Sequence, residues 1–189
     1  MAYNLQDQEQ IDELKAFWAN NGNRRMWLAV IALAVFAGWR VWNWYHDGQA
    51  KDAAREYAGL VSAADSGKIE QVRERYDAIQ KGYGSSVYAG MAGLRAAEAF
   101  AKANQPDAAV AALESVMKNS TEPGFKPIAG VRLAGLLLDQ KKYDEATKAI
   151  DSGNIGPVSG EMAASVADRR GDILAAQGKA SDAKAAWEE

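Results

Sequence analysis

The stretch Arg132–Ile150, RLAGLLLDQKKYDEATKAI, decides the fold. Leu133, Ala134 and Leu137 recur at helical spacing, the polar run Gln140-Lys141-Lys142 interrupts them, and Tyr143, Ala146 and Ile150 resume the same spacing on the far side. Two short amphipathic helices joined by a tight turn pack as an antiparallel hairpin. Ala134 and Ala146 are the small residues that let the two backbones approach. The pattern recurs on both sides, with Ala96 and Ala108 before it and Gly171 and Ala183 after it.

Successive first members of these pairs lie 38 and 37 positions apart. That period is a little above the ~34 residues of tetratricopeptide repeats, whose helix pairs need small residues at such close contacts. The helix pairs expected are Ser86–Asn104 with Pro106–Lys118, Pro127–Gln140 with Tyr143–Asp151, and Pro157–Gln177 with Ser181 to the end. Asn119–Gly124 forms a loop between the first two. An earlier pair, Gln49–Ala64 and Ile69–Lys81, has Val61, Val72 and Tyr76 as its anchors and conforms poorly, as a capping repeat does. Abundant alanine and scarce β-branched runs agree with an all-α domain over residues 46–189.

Ahead of the repeats, Met26–Tyr45 reads MWLAVIALAVFAGWRVWNWY. A helix of ~20 residues rises ~30 Å, the thickness of a hydrocarbon core. Trp27 stands at one end and Trp39, Trp42, Trp44 and Tyr45 at the other, where amphipathic rings favour the headgroup layer. The stretch therefore reads as a single transmembrane helix over residues 26–45. A cleaved signal peptide is disfavoured by the residues that precede it and by the tryptophan-rich segment that follows. Arg40, the one charge inside, sits near the end and can snorkel to the interface or meet a partner's carboxylate or a lipid phosphate. Lys15, Arg24 and Arg25 before the span against Lys51 and Arg55 after it favour a cytoplasmic N-terminus by a small margin. Residues 1–25 carry Leu5, Ile11, Leu14, Phe17 and Trp18 at roughly helical spacing, with Asn4 as N-cap and Gly22 closing a short amphipathic helix.

The composition excludes several function classes. A net charge of −3, with lysine and arginine interspersed among acids, offers no basic stripe for nucleic acid. With no cysteine there is no thiol nucleophile, disulfide or thiolate metal site. His46, the one histidine, has no acidic cluster around it, and Asp168 and Asp172, one turn apart with Arg169 and Arg170 between them, read as a solvated face. Glycine-rich phosphate loops are absent. No enzyme, cofactor, metal or small-molecule substrate is expected.

A repeat stack works by shape, presenting the first helix of each pair along a concave surface. Counted from the small core residues, that surface comprises Gly93, Ala97 and Phe100, then Val131, Gly135 and Leu138, then Asp168 and Asp172. It reads as a shallow apolar groove with an acidic end, fit for an amphipathic or extended segment of a partner.

Three segments together carry a family resemblance: LKAFWANNG, the GWR-x-W pattern at Gly38–Trp42, and SVADRRGDILAAQGKASDAKAAWEE at the C-terminal end. With them the chain resembles the ancillary SecYEG translocon subunit family, YfgM-like tetratricopeptide proteins of Gram-negative bacteria. The resemblance implies an inner-membrane anchor with its N-terminus in the cytoplasm and a periplasmic repeat domain. It also implies association with the SecYEG translocon and with the periplasmic chaperone PpiD. Trp27, Gly38, Trp39, Arg40 and Trp42 become the expected contacts with the lipid bilayer or the partner. The family's last helix runs further than Glu189, so the resemblance implies a segment beyond it. A scaffold of an envelope or cell-division complex is the competing expectation.

Overall fold

The computed structural model describes the backbone of residues 5–188 and the side chains of residues 15, 26–40 and 49–188. It divides into two units, residues 1–48 and 49–189. Among the described residues every element is helical: α1 (Leu5–Asp65), α2 (Ile69–Tyr83), α3 (Val87–Lys102), α4 (Pro106–Asn119), α5 (Phe125–Asp139), α6 (Tyr143–Ala149), α7 (Ser152–Ile155), α8 (Glu161–Ala176) and α9 (Ala180–Trp187). The expected first helix of the domain is the last stretch of α1.

α1 runs through Gly22 without a break, so Gly22 does not cap a separate short helix. A single glycine inside a helix costs only about 1 kcal/mol relative to alanine and does not by itself end it. Leu5, Ile11, Leu14, Phe17 and Trp18 lie outside the described side chains, as do Trp42 and His46. Between Met26 and Arg40 every described side chain is exposed. Among the described residues no helix is long and apolar enough to cross a membrane, and the described side chains of the expected span end at Arg40.

In residues 49–189 one turn is built four times. Gly67, Asn104, Lys141 and Gly178, spaced 37 residues apart, have φ of 67°, 57°, 60° and 78°. After each, the next amide bonds back to the carbonyl five residues before it: Lys68 to Ala63 at 2.9 Å, Gln105 to Phe100 at 2.8 Å, Lys142 to Leu137 at 2.8 Å and Lys179 to Leu174 at 3.0 Å. This is the Schellman arrangement, which satisfies carbonyls that a helix end leaves unpaired. A second helix starts at once after each turn, as α2, α4, α6 or α9.

The turns fix the register of everything around them. Val72, Ala109, Ala146 and Ala183 each occupy the fourth position of the second helix and are fully buried, at 0% exposure. Opposite them stand Leu60, Ala97, Ala134 and Gly171, all buried. The third and fourth pairs match the sequence reading. In the second pair the contact residues are Ala97 and Ala109, one residue later than Ala96 and Ala108, so the period is 37 throughout. The first pair shares the register through Leu60, Gly67 and Val72 and is a full repeat in geometry, with Val61 only partly buried.

Two boundaries also move. α8 begins at Glu161, not Pro157, because Gly160 adopts φ 58° and ψ −137°, a backbone state that suits glycine and cannot continue into a helix. α6 stops at Ala149, and the short α7 follows, opened by Asp151, whose carboxylate accepts a 2.8 Å hydrogen bond from the Gly153 amide. α7 drops Ile155 into the core over Gly130, where a Cβ would collide with Ile155 and the Ala149 carbonyl. The core is continuous from Leu60 to Ile173, with Phe100, Leu113 and Ile79 among its largest fully enclosed side chains.

Candidate functional site

The first helices α3, α5 and α8 lie side by side and line an open groove of about 380 Å³. Its floor is small and apolar, from Ala97, Ala101, Gly135 and Leu136; its polar groups are Glu98, Arg132, Asp139 and Arg169. Of the expected groove residues, Ala97 and Gly135 line it. Val131 and Leu138 are half-buried against the core, Asp168 is exposed, and Asp172 is half-buried in an ion pair with Arg169 at 3.1 Å. Gly93 and Phe100 do not face the groove. Phe100 is 2% exposed, packed edge-on against Tyr76 with centroids 6.5 Å apart and capped by the Arg73 guanidinium 4.8 Å from its ring centre. Gly93 is buried against Val116.

The one-residue slip in the second pair explains both. A residue turns the helix by ~100°, enough to swap a groove position for a core one. With the register set by the turns, the counterparts of Val131, Gly135 and Leu138 are Leu94, Glu98 and Ala101, and the last two line the groove.

The same register reveals what the sequence reading missed. Arg95, Arg132 and Arg169 stand 37 residues apart at one position of the three first helices. Arg95 pairs with Asp65 and with Glu98 at 2.8 Å, and Glu98 also takes Lys102 at 2.7 Å. The Lys102 hydrogen bond pulls the Glu98 carboxyl below its ordinary range, partial burial opposes this, and Arg95 reinforces it. Partial burial works to lower the Arg95 pKa, but Glu98 and Asp65 outweigh it and raise the value. Arg169 lies over Gly135, with its guanidinium carbon 3.4 Å from where a Cβ would stand there. The Arg169 Nε is enclosed without a hydrogen-bond partner. The acidic end expected of the groove is therefore a mixed surface in which Arg169 offsets Asp172. Exact repetition at 37 residues was the signal that could have exposed the three arginines.

In residues 26–39 the apolar side chains stand open. Trp27, Leu28, Leu33, Val35 and Trp39 are 58–67% exposed, and Phe36 and Trp39 tilt against each other with centroids 6.1 Å apart. Gly38 has nothing within 4 Å of a Cβ position, and Arg40 is exposed. Among the described residues no group of three or more His, Cys, Asp or Glu side chains could hold a metal ion.

Four helix pairs in one register around a small-residue seam, with a groove along the first helices, define a tetratricopeptide-like repeat protein. A family profile described as "Tetratricopeptide repeat-like domain" matches residues 15–189. Curated relatives of the chain carry the name "Ancillary SecYEG translocon subunit". That of Escherichia coli is 29% identical over 185 residues, covering 96% of this chain and 85% of its own length. That of Neisseria gonorrhoeae is 30% identical over 184 residues, covering 97% and 86%. That of Haemophilus influenzae is 25% identical over 191 residues, covering 100% and 90%. The chain belongs to the tetratricopeptide repeat-like family that these ancillary translocon subunits form.

Proposed function

We propose that this protein is a non-enzymatic, membrane-anchored binding module of the SecYEG translocon. Met26–Tyr45 spans the inner membrane once, with residues 1–25 in the cytoplasm and the repeat domain of residues 46–189 in the periplasm, where it cooperates with the chaperone PpiD in handling exported proteins. The observation that carries the reading is the exposed apolar run from Met26 to Trp39, joined to relatives named for the translocon along nearly the whole chain. Such a row of exposed Trp, Leu, Val and Phe side chains in water forfeits about 25 cal/mol for each Å² of apolar surface, and lipid tails remove that cost. Trp27, Gly38, Trp39, Arg40 and Trp42 face lipid or the translocon, with Arg40 directed to the headgroups. Confinement to the membrane plane raises the local concentration of the repeat domain near the channel exit, so modest contacts suffice.

The test uses photo-crosslinking amino acids at Leu33 and Trp42, with adducts identified by mass spectrometry. Adducts with translocon subunits are expected; adducts only with division or cell-wall proteins would replace this reading with the scaffold one. Because the chain has no cysteine, Ser181→Cys supplies a single label site, and labelling from the cytoplasmic side alone would overturn the topology.

A further inference from the structure

The three arginines at one position of the first helices, two of which line the groove, are alike in position and unlike in partner. Three residues after Arg95 comes Glu98, paired with it at 2.8 Å, and three residues after Arg169 comes Asp172, paired with it at 3.1 Å. Three residues after Arg132 comes Gly135. Among the described residues no carboxylate lies in ion-pair range of Arg132, whose hydrogen bond is a long one, 3.4 Å from Nη1 to the Leu94 carbonyl. The middle repeat thus lacks the carboxylate that its two neighbours supply from within. In its place is the backbone of Gly135, which lines the groove with a second guanidinium, that of Arg169, 3.4 Å from where a Cβ would stand.

We propose that Arg132 receives the carboxylate of an aspartate or glutamate carried by an extended segment of a partner protein. The carboxylate reaches Arg132 beside Gly135, the position that Glu98 and Asp172 occupy in the adjoining repeats. This proposal rests on reading the repeat domain as a binding module and names what the groove selects. A planar guanidinium suits a carboxylate through two parallel hydrogen bonds. The floor of Ala97, Ala101 and Gly135 lets a backbone approach closely without choosing among side chains. Adjacent packed helices lie ~8–10 Å apart, and three residues of extended chain span about the same distance. One partner acid therefore meets Arg132 while the residues three before and three after it lie against the neighbouring repeats. Asp139 borders the same groove and repels a second acid placed beside it, which limits the preference to an isolated acidic residue in place of an acidic run.

The experiment uses the full chain in lipid nanodiscs and fluorescent twelve-residue peptides of glycine, serine and alanine with one central Glu, Gln or Lys. The Glu peptide should bind about tenfold or more tighter than the Gln peptide, since bonds to a charged group carry most of the contact. That difference should shrink as salt rises. Arg132→Ala should erase it. So should Gly135→Glu, which gives Arg132 the internal partner found in the other repeats, and this variant keeps the test decisive if Arg132→Ala disturbs folding. Equal binding of Glu and Gln peptides, a preference for Lys, or an unchanged preference in both variants would overturn the proposal. So would Arg132-dependent binding to phosphatidylglycerol vesicles but not to peptide. Failure here with translocon adducts intact at Leu33 sinks only the acid site, whereas a selective groove without those adducts sinks only the translocon reading.

Discussion

Replacing Lys141 with glycine should stabilise the repeat domain. Lys141 holds φ at 60°, where its Cβ crowds the neighbouring carbonyl, and its side chain is exposed, so little packing is lost with it. The left-handed state costs an L-residue about 1–2 kcal/mol, and glycine removes that cost. The unfolded chain gains freedom at the new glycine, which returns about 0.4–1 kcal/mol. The net gain is about 0.5–1 kcal/mol, or about 2 °C in Tm for a domain of this size. Gly178→Ala is the mirror experiment, since Gly178 holds φ 78° at the equivalent place, and it should lose a similar amount. Urea unfolding followed by circular dichroism at 222 nm measures both, with an unchanged slope assuring that the same surface unfolds. A Lys141→Gly variant no more stable than the parent, together with a neutral Gly178→Ala, would refute the claim that these four turns set the register.

Phe100→Ala should cost about 3–5 kcal/mol, a large part of a typical domain's stability, because the ring is enclosed by Tyr76 and Arg73. Urea unfolding checks it; a loss below about 1 kcal/mol combined with abolished peptide binding would return the ring to the groove. Acid should weaken the Arg95–Glu98–Lys102 cluster along α3. Glu98 has a folded pKa held below its ordinary 4.5, so its contribution is complete above that value and is lost as pH falls through the lower one. Melts from pH 7 to pH 3 should show a steeper fall below about pH 4.5 for the parent than for Glu98→Gln.

How far the sequence led depended on what punctuated it. Pro106, Gly178 and the polar turn before Tyr143 placed the helix pairs, because proline's fixed φ suits a helix start and glycine alone takes the left-handed state after a helix end without cost. In α3 the marker itself was ambiguous: Ala92, Ala96, Ala97 and Ala99 are all buried, so small size alone could not say which one faces α4. The turn at Asn104 says so, since a left-handed residue fixes the phase of both flanking helices. Pairing is the other level at which pattern falls short. That Arg95 and Arg169 have a carboxylate partner and Arg132 does not follows from Glu98, Gly135 and Asp172 sharing one position, which only a correct register exposes. α7 escaped because four residues carry no periodicity.

The constant period has a consequence for how the domain comes into being. Each helix pair touches itself and its immediate neighbours, so the contacts that close the core join residues at most about two repeats apart in the chain. Such local wiring lowers contact order and lets structure nucleate at one point and spread. A chain delivered from its N-terminus can finish Leu60, Val72 and Phe100 as a unit before Trp187 has arrived, and no late strand must travel back to complete an early one. Each repeat then serves as the template on which the next condenses.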